Sequence, residues 1–131
     1  MTNAGRDDEL TPFERAVVER ILAGMYDVPG RDVLRAQLPA MRVARREYTG
    51  VGLFVDFQHA EGVVRLPNAA RGTFGGDVYA EIPGLPHGAG FVLYVIEGLV
   101  ETLECFGYAS DVNSWPREIR KWEMADPPRE M

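Results

Sequence analysis

The segment from Phe91 to Gly107 constrains the fold most. Two runs rich in apolar, β-branched and aromatic residues, Phe91 to Ile96 and Leu99 to Gly107, flank Glu97-Gly98. That is the pattern of a β-hairpin. A two-residue turn would put Glu97 at positive φ, which a glutamate resists. A three-residue loop, Ile96-Glu97-Gly98, with Gly98 as a left-handed bulge residue avoids that cost and is the expected register. It sets Phe91, Leu93, Val95, Leu99, Leu103 and Cys105 on an apolar face turned toward helices. Val92, Tyr94, Val100, Thr102, Glu104 and Phe106 then form a mixed opposite face. Glu101 falls on the apolar side in either register, with its carboxylate reaching the sheet edge.

The rest of the chain supplies helices first and strands afterwards. Thr11-Pro12-Phe13-Glu14 is a helix start with a capping box and proline at the first helical position. Phe13, Val17, Val18, Ile21 and Leu22 then recur at helical spacing, and Gly24 is the expected stop. A shorter helix is predicted from Arg31 to Leu38, ended by Pro39. Strands are predicted over 41–48, 51–58 and 77–82, with a hairpin signal at Thr49-Gly50 and a turn at Pro83-Gly84. Residues 59–75 read as a long irregular connection, and 119–124 as a last short strand or ragged helix. The fold expected is α+β: two N-terminal helices packed on an antiparallel sheet of five to six strands. Residues 10–125 form the single domain, with flexible tails at 1–9 and 126–131.

Net charge is −6, and the 14 basic residues are all arginine except Lys121. This balance argues against a nucleic-acid binder or a protein of anionic membrane surfaces. One cysteine, Cys105, permits no internal disulfide and fits a cytoplasmic protein. The N-terminal residues lack the pattern of a signal peptide, and no apolar run is long enough to span a bilayer.

The charges are unevenly distributed. From Gly72 to Pro116, 45 residues, there is no Lys or Arg, while Asp77, Glu81, Glu97, Glu101, Glu104 and Asp111 all lie there. Arg42, Arg45 and Arg46 cluster on the first strand. Three arrangements fit: the arginine strand pairs with the acidic strands, an acidic surface captures a basic partner, or the carboxylates line a metal pocket.

No constellation specifies a reaction, and no catalytic residue is assigned. Cys105 reads as a core thiol, and Ser110 and Ser114 as turn residues without a nucleophile elbow. His59 with Asp56, or His87 with Asp77 and Glu81, supplies ligand atom types, but the spacing matches no zinc pattern. No metal or other cofactor is expected. Asp77 and Glu81 share strand parity about 13 Å apart, beyond direct pairing. Gly88-Ala89-Gly90 lacks the Lys-Ser/Thr and the following helix of a phosphate loop, so its glycines read as a bulge or tight strand entry. Trp115 and Trp122 either close the core or anchor an interface.

The stretch GDVYAEIPGLPHGAGFVLYVIEGLVETLECFGY from Gly76 to Tyr108, with TGVGLFVDF before it and SWP after it, resembles a group of small uncharacterised bacterial proteins. They share a GDV-x-AEI-x-GL-x-HGAGF block, an acidic-Gly hairpin and a Leu-Glu strand. The likeness spans residues 44–116 and departs at Cys105-Phe106, where the group more often has glycine and an aromatic. Some members look like immunity partners of polymorphic bacterial toxins. The resemblance carries over no catalytic residue. With the charge layout, it implies an immunity-type inhibitor that masks a toxin domain of basic surface. The expected contact residues are Asp77, Glu81, Tyr94, Glu104, Asp111 and Trp115. A small enzyme or metal-binding protein using His87 with Asp77 or Glu81 is the alternative, and a homodimer is a further possibility.

Overall fold

Thr11 opens the first helix as its cap. Its hydroxyl accepts from the Glu14 backbone N–H at 3.1 Å, and Glu14 Oε1 accepts from the Thr11 N–H at 2.9 Å. The helix α1 runs Pro12–Ala23 and buries Phe13, Val17, Val18, Ile21 and Leu22, the predicted stripe. Helix α2 runs Arg31–Gln37, and Pro39 lies within the 3-10 turn Leu38–Ala40 that follows. The computed structural model describes residues 8–25, 27–67, 70–108 and 114–125.

Among the described residues seven strands follow, in a single antiparallel sheet: β1 Arg42–Tyr48, β2 Gly52–Gln58, β3 Gly72–Phe74, β4 Tyr79–Ile82, β5 Leu85–Ile96, β6 Leu99–Gly107 and β7 Glu123–Ala125. Their order is β1-β2-β6-β5-β4-β7, with β3 also paired to β5. The architecture is thus α+β with N-terminal helices, but the sheet exceeds the five to six strands expected. The difference arises at β5, which is 12 residues long. One side pairs with β6, while β4 and β3 occupy successive stretches of the other. A three-residue strand thereby forms inside the supposed irregular connection.

The inner sheet face carries Val43, Leu53, Val55, Phe57, Ala80, Ile82, Phe91, Leu93, Val95, Leu103 and Cys105, all buried with the helical stripe in one core. Phe13 meets Phe91 with ring centroids 5.9 Å apart. Residues 114–122 cross toward β7, and there Trp115 joins the core and Trp122 packs edge-on against Phe13 at 5.3 Å. Asp8 and Glu9, expected in a flexible tail, are tied to β1. The Val43 N–H donates to Asp8 O, and Arg42 pairs with Glu9. The other expected tail residues, 1–7 and 126–131, lie outside the described residues.

The central hairpin corrects the expected register. Ile96 pairs with Leu99 and Val95 with Val100, so Glu97-Gly98 is a two-residue turn. Both residues have positive φ, +53° and +77°, as a type I′ turn requires. The next pair is Tyr94 with Thr102, leaving Glu101 as a bulge. The bulge restores parity for Leu103 and Cys105, sends Val100 inward and leaves Leu99 and Glu101 half-exposed. Glu101 is therefore not on the apolar face.

Side chains from outside the hairpin hold this geometry. Gln37, 2% exposed, accepts from the Val100 N–H at 2.9 Å and donates to Gly98 O at 3.0 Å and Val64 O at 2.9 Å. His59 Nε2 donates to Val100 O at 2.7 Å. Both backbone groups of Val100, next to the bulge, are thus satisfied. No helix among the described residues is long and apolar enough to cross a membrane.

Candidate functional site: the outer sheet face

Alternation along the strands puts a second set of side chains opposite the core. Tyr94 pairs with Thr102 and Thr102 with Asp56, while Val92 pairs with Glu104 and Glu104 with Phe54. These six residues form adjacent rungs across β5, β6 and β2, and all are half-exposed. Arg45 and Glu47 continue the rungs on β1.

Hydrogen bonds fix the polar members. The Tyr94 hydroxyl donates diagonally to Glu104 Oε1 at 2.7 Å. Thr102 Oγ1 donates to Asp56 Oδ1 at 2.9 Å, and Arg45 Nε to Asp56 Oδ2 at 3.3 Å. Asp56 therefore has a cationic neighbour, whereas Glu104 has none among the described residues. The hydrogen bond to the Glu104 carboxylate, then burial and the negative charge itself, push the Tyr94 phenol above its ordinary pKa. A raised folded-state value favours the folded protein below the ordinary tyrosine pKa of about 10. That contribution is lost as pH rises through the folded value. Glu104→Gln should move one tyrosine titration downward in an alkaline absorbance titration. An unchanged curve would show that the pair does not form in solution.

An aromatic strip borders these rungs. Tyr79 and Phe106 flank Gly90 in register, and Tyr108 stacks on Tyr79 at 6.1 Å and meets Phe106 edge-on at 5.4 Å. A Cβ at Gly90 would lie 2.7 Å from the Phe106 ring, and one at Gly88 (φ +76°) would overlap Tyr79. The glycines of Gly88-Ala89-Gly90 thus leave backbone bare for aromatic rings, and Gly88 also takes the left-handed conformation. Beyond the strip, Glu81 is exposed on β4 opposite Glu123 of β7.

The structure brings Tyr94 and Glu104 into contact and places Glu81 across the aromatic strip from them. It separates the others. Asp77 lies in a turn closed by the Val78 N–H and Gly75 O, before β4 begins, and its carboxylate sits near Gly24 at the end of α1. It does not share a strand with Glu81, because the strand starts at Tyr79 and not at Asp77. Trp115 is buried in the core. Asp111 and Ser110 lie outside the described residues. Asp56, Phe54 and Thr102 belong to the face but were not among the expected contacts. Their alternation was visible, but the adjacency of β2 and β6 was not.

The β1 arginines engage carboxylates outside the acidic segment. Arg42 pairs with Glu9, Arg45 with Glu47 and Asp56, and Arg46 with Glu14. His87 is exposed, and its carbonyl accepts from the Tyr79 hydroxyl at 3.2 Å. No group of three or more His, Cys, Asp or Glu among the described residues is placed to hold a metal ion. Cys105 is buried, and desolvation, followed by the charges of Glu14 and Glu104, pushes its thiol well up, which suppresses the reactive thiolate. Comparison of the chain with protein-family models, curated proteins and solved structures finds no match.

Proposed function

We propose that this chain is a binding protein that captures a basic protein partner through the outer face of its sheet. The observation that carries the reading is Glu104. Its carboxylate is oriented by Tyr94 at the centre of a half-exposed face and has no cationic neighbour among the described residues. Thr102, Asp56, Phe54 and Val92 surround it with polar and apolar contact area, the mixture that protein interfaces use. The resemblance of residues 44–116 supports a more specific form, a cytoplasmic immunity-type inhibitor that masks a bacterial toxin domain.

The test uses the protein encoded beside this gene as the candidate partner. Glu104→Lys should slow association roughly tenfold or more, since complementary charge accelerates encounter. Dissociation should change less. Raising salt should weaken wild-type binding and narrow the gap between the two proteins. Thermal stability should change little, because the side chain is half-exposed. Association unaffected by salt and by Glu104→Lys would overturn the electrostatic reading.

A further inference from the structure

At the β4–β7 corner a groove of about 700 Å³ is lined by Tyr79, Glu81, Pro83, Pro86, Trp122 and Glu123, among others. We infer that this groove receives an arginine side chain from an extended segment of the partner protein, a second anchor that rests on the outer-face reading.

The walls and the charge both point to that occupant. The half-buried Trp122 offers aromatic surface, and two prolines offer rigid apolar surface. Glu81 and Glu123 stand directly opposite each other in the β4–β7 register, and both are exposed. Like charges in that position repel. Neither has an ion pair among the described residues, although Lys121 also lines the groove. A guanidinium satisfies this arrangement better than an ammonium. It is planar, donates along two directions to separate carboxylates and stacks on aromatic surface. The flanking residues of an extended segment would continue over the aromatic strip toward Glu104. By strand geometry Glu104 is roughly 16 Å from Glu81, two strands across and two rungs along.

The probe is the capped peptide Gly-Gly-Arg-Gly-Gly, with lysine and glutamate counterparts, titrated into the ¹⁵N-labelled protein. The arginine peptide should shift the Trp122 indole and the amides of Glu81 and Glu123. The lysine peptide should bind at least twofold more weakly and the glutamate peptide should leave these signals unmoved. The double variant Glu81→Gln/Glu123→Gln should weaken arginine-peptide binding at least fivefold while raising Tm, because relief of repulsion stabilises the empty groove. Glu19→Gln, at an exposed position of α1 outside the groove lining, should leave peptide binding unchanged. Arginine-peptide shifts that are absent, lie elsewhere or persist in the double variant would overturn the inference, as would a fall in Tm. If the groove fails while Glu104→Lys still slows partner association, the outer-face reading stands without this anchor.

Discussion

Gly98→Val should destabilise the fold by about 4–6 kcal/mol, a large part of the 5–15 kcal/mol that typically holds a domain folded. Two effects add. A β-branched residue at the observed φ of +77° costs about 1–3 kcal/mol. A Cβ there would also overlap the carbonyl oxygen of Leu66 and lie 2.8 Å from its nitrogen. Backbone cannot rotate aside as a side-chain tip can, so Val64, Leu66 and Ala70 must move away from the turn. Three hydrogen bonds go with them: Gly98 N–H to Ala70 O at 2.8 Å, Leu66 N–H to Gly98 O at 3.1 Å and the Gln37 amide to Val64 O at 2.9 Å. Each contributes about 1 kcal/mol. Gly62→Val is the control. Its φ is +86°, but nothing lies within 4 Å of the added Cβ, so it should show the conformational cost alone. Urea denaturation separates the two. Equal losses would mean that packing of the loop on the turn contributes nothing.

That turn shows where local sequence stops determining structure. Thr11-Pro12-Phe13-Glu14 carries its cap, its first-turn proline and its reciprocal carboxylate within four residues, so α1 was legible from end to end. The existence of the hairpin was legible for the same reason. Its register was not. The local cost of positive φ at Glu97 argued for a longer loop, but Gln37, some sixty residues away in sequence, binds both Gly98 and Val100 and supports the tighter turn. Strand β3 escaped because Gly-Thr-Phe is too short to show a period and forms only where the long β5 offers it an edge.

The same division runs through the candidate site. Tyr94 and Glu104 share a face by alternation within one hairpin, so their proximity followed from local pattern. Asp56 reaches them only through the β2–β6 pairing, which no local signal announces. Asp77 falls on the face only if the strand begins there, and β4 begins two residues later, at Tyr79. Gly75, at φ +108°, bends the chain there instead. The clustering of Arg42, Arg45 and Arg46 was plain in the sequence, but their partners depended on where Asp8 to Glu14 came to lie.

Arg46 is the arginine for which that placement matters most. Arg46→Met should cost about 3 kcal/mol, near the lower end of the range for removing one partner of a buried ion pair, since Arg46 keeps some contact with solvent. Glu14 is 3% exposed. Arg46 holds it with two hydrogen bonds, Nε to Oε2 and an Nη to Oε1, each 2.8 Å. A methionine fills similar volume but leaves the carboxylate charged and enclosed. Adding Glu14→Gln removes that charge and keeps an oxygen for the Thr11 N–H. The double variant should therefore recover at least half of the loss, and the difference measures the uncompensated charge. Thermal and urea denaturation of the wild type, both singles and the double complete the cycle. A double variant as unstable as Arg46→Met would assign the loss to the packed arginine stem, not to charge. If the charge term holds, Arg46 is committed to the cap of α1. It is then not a counter-ion for the sheet carboxylates, and Glu104 stays available to a cation from outside the chain.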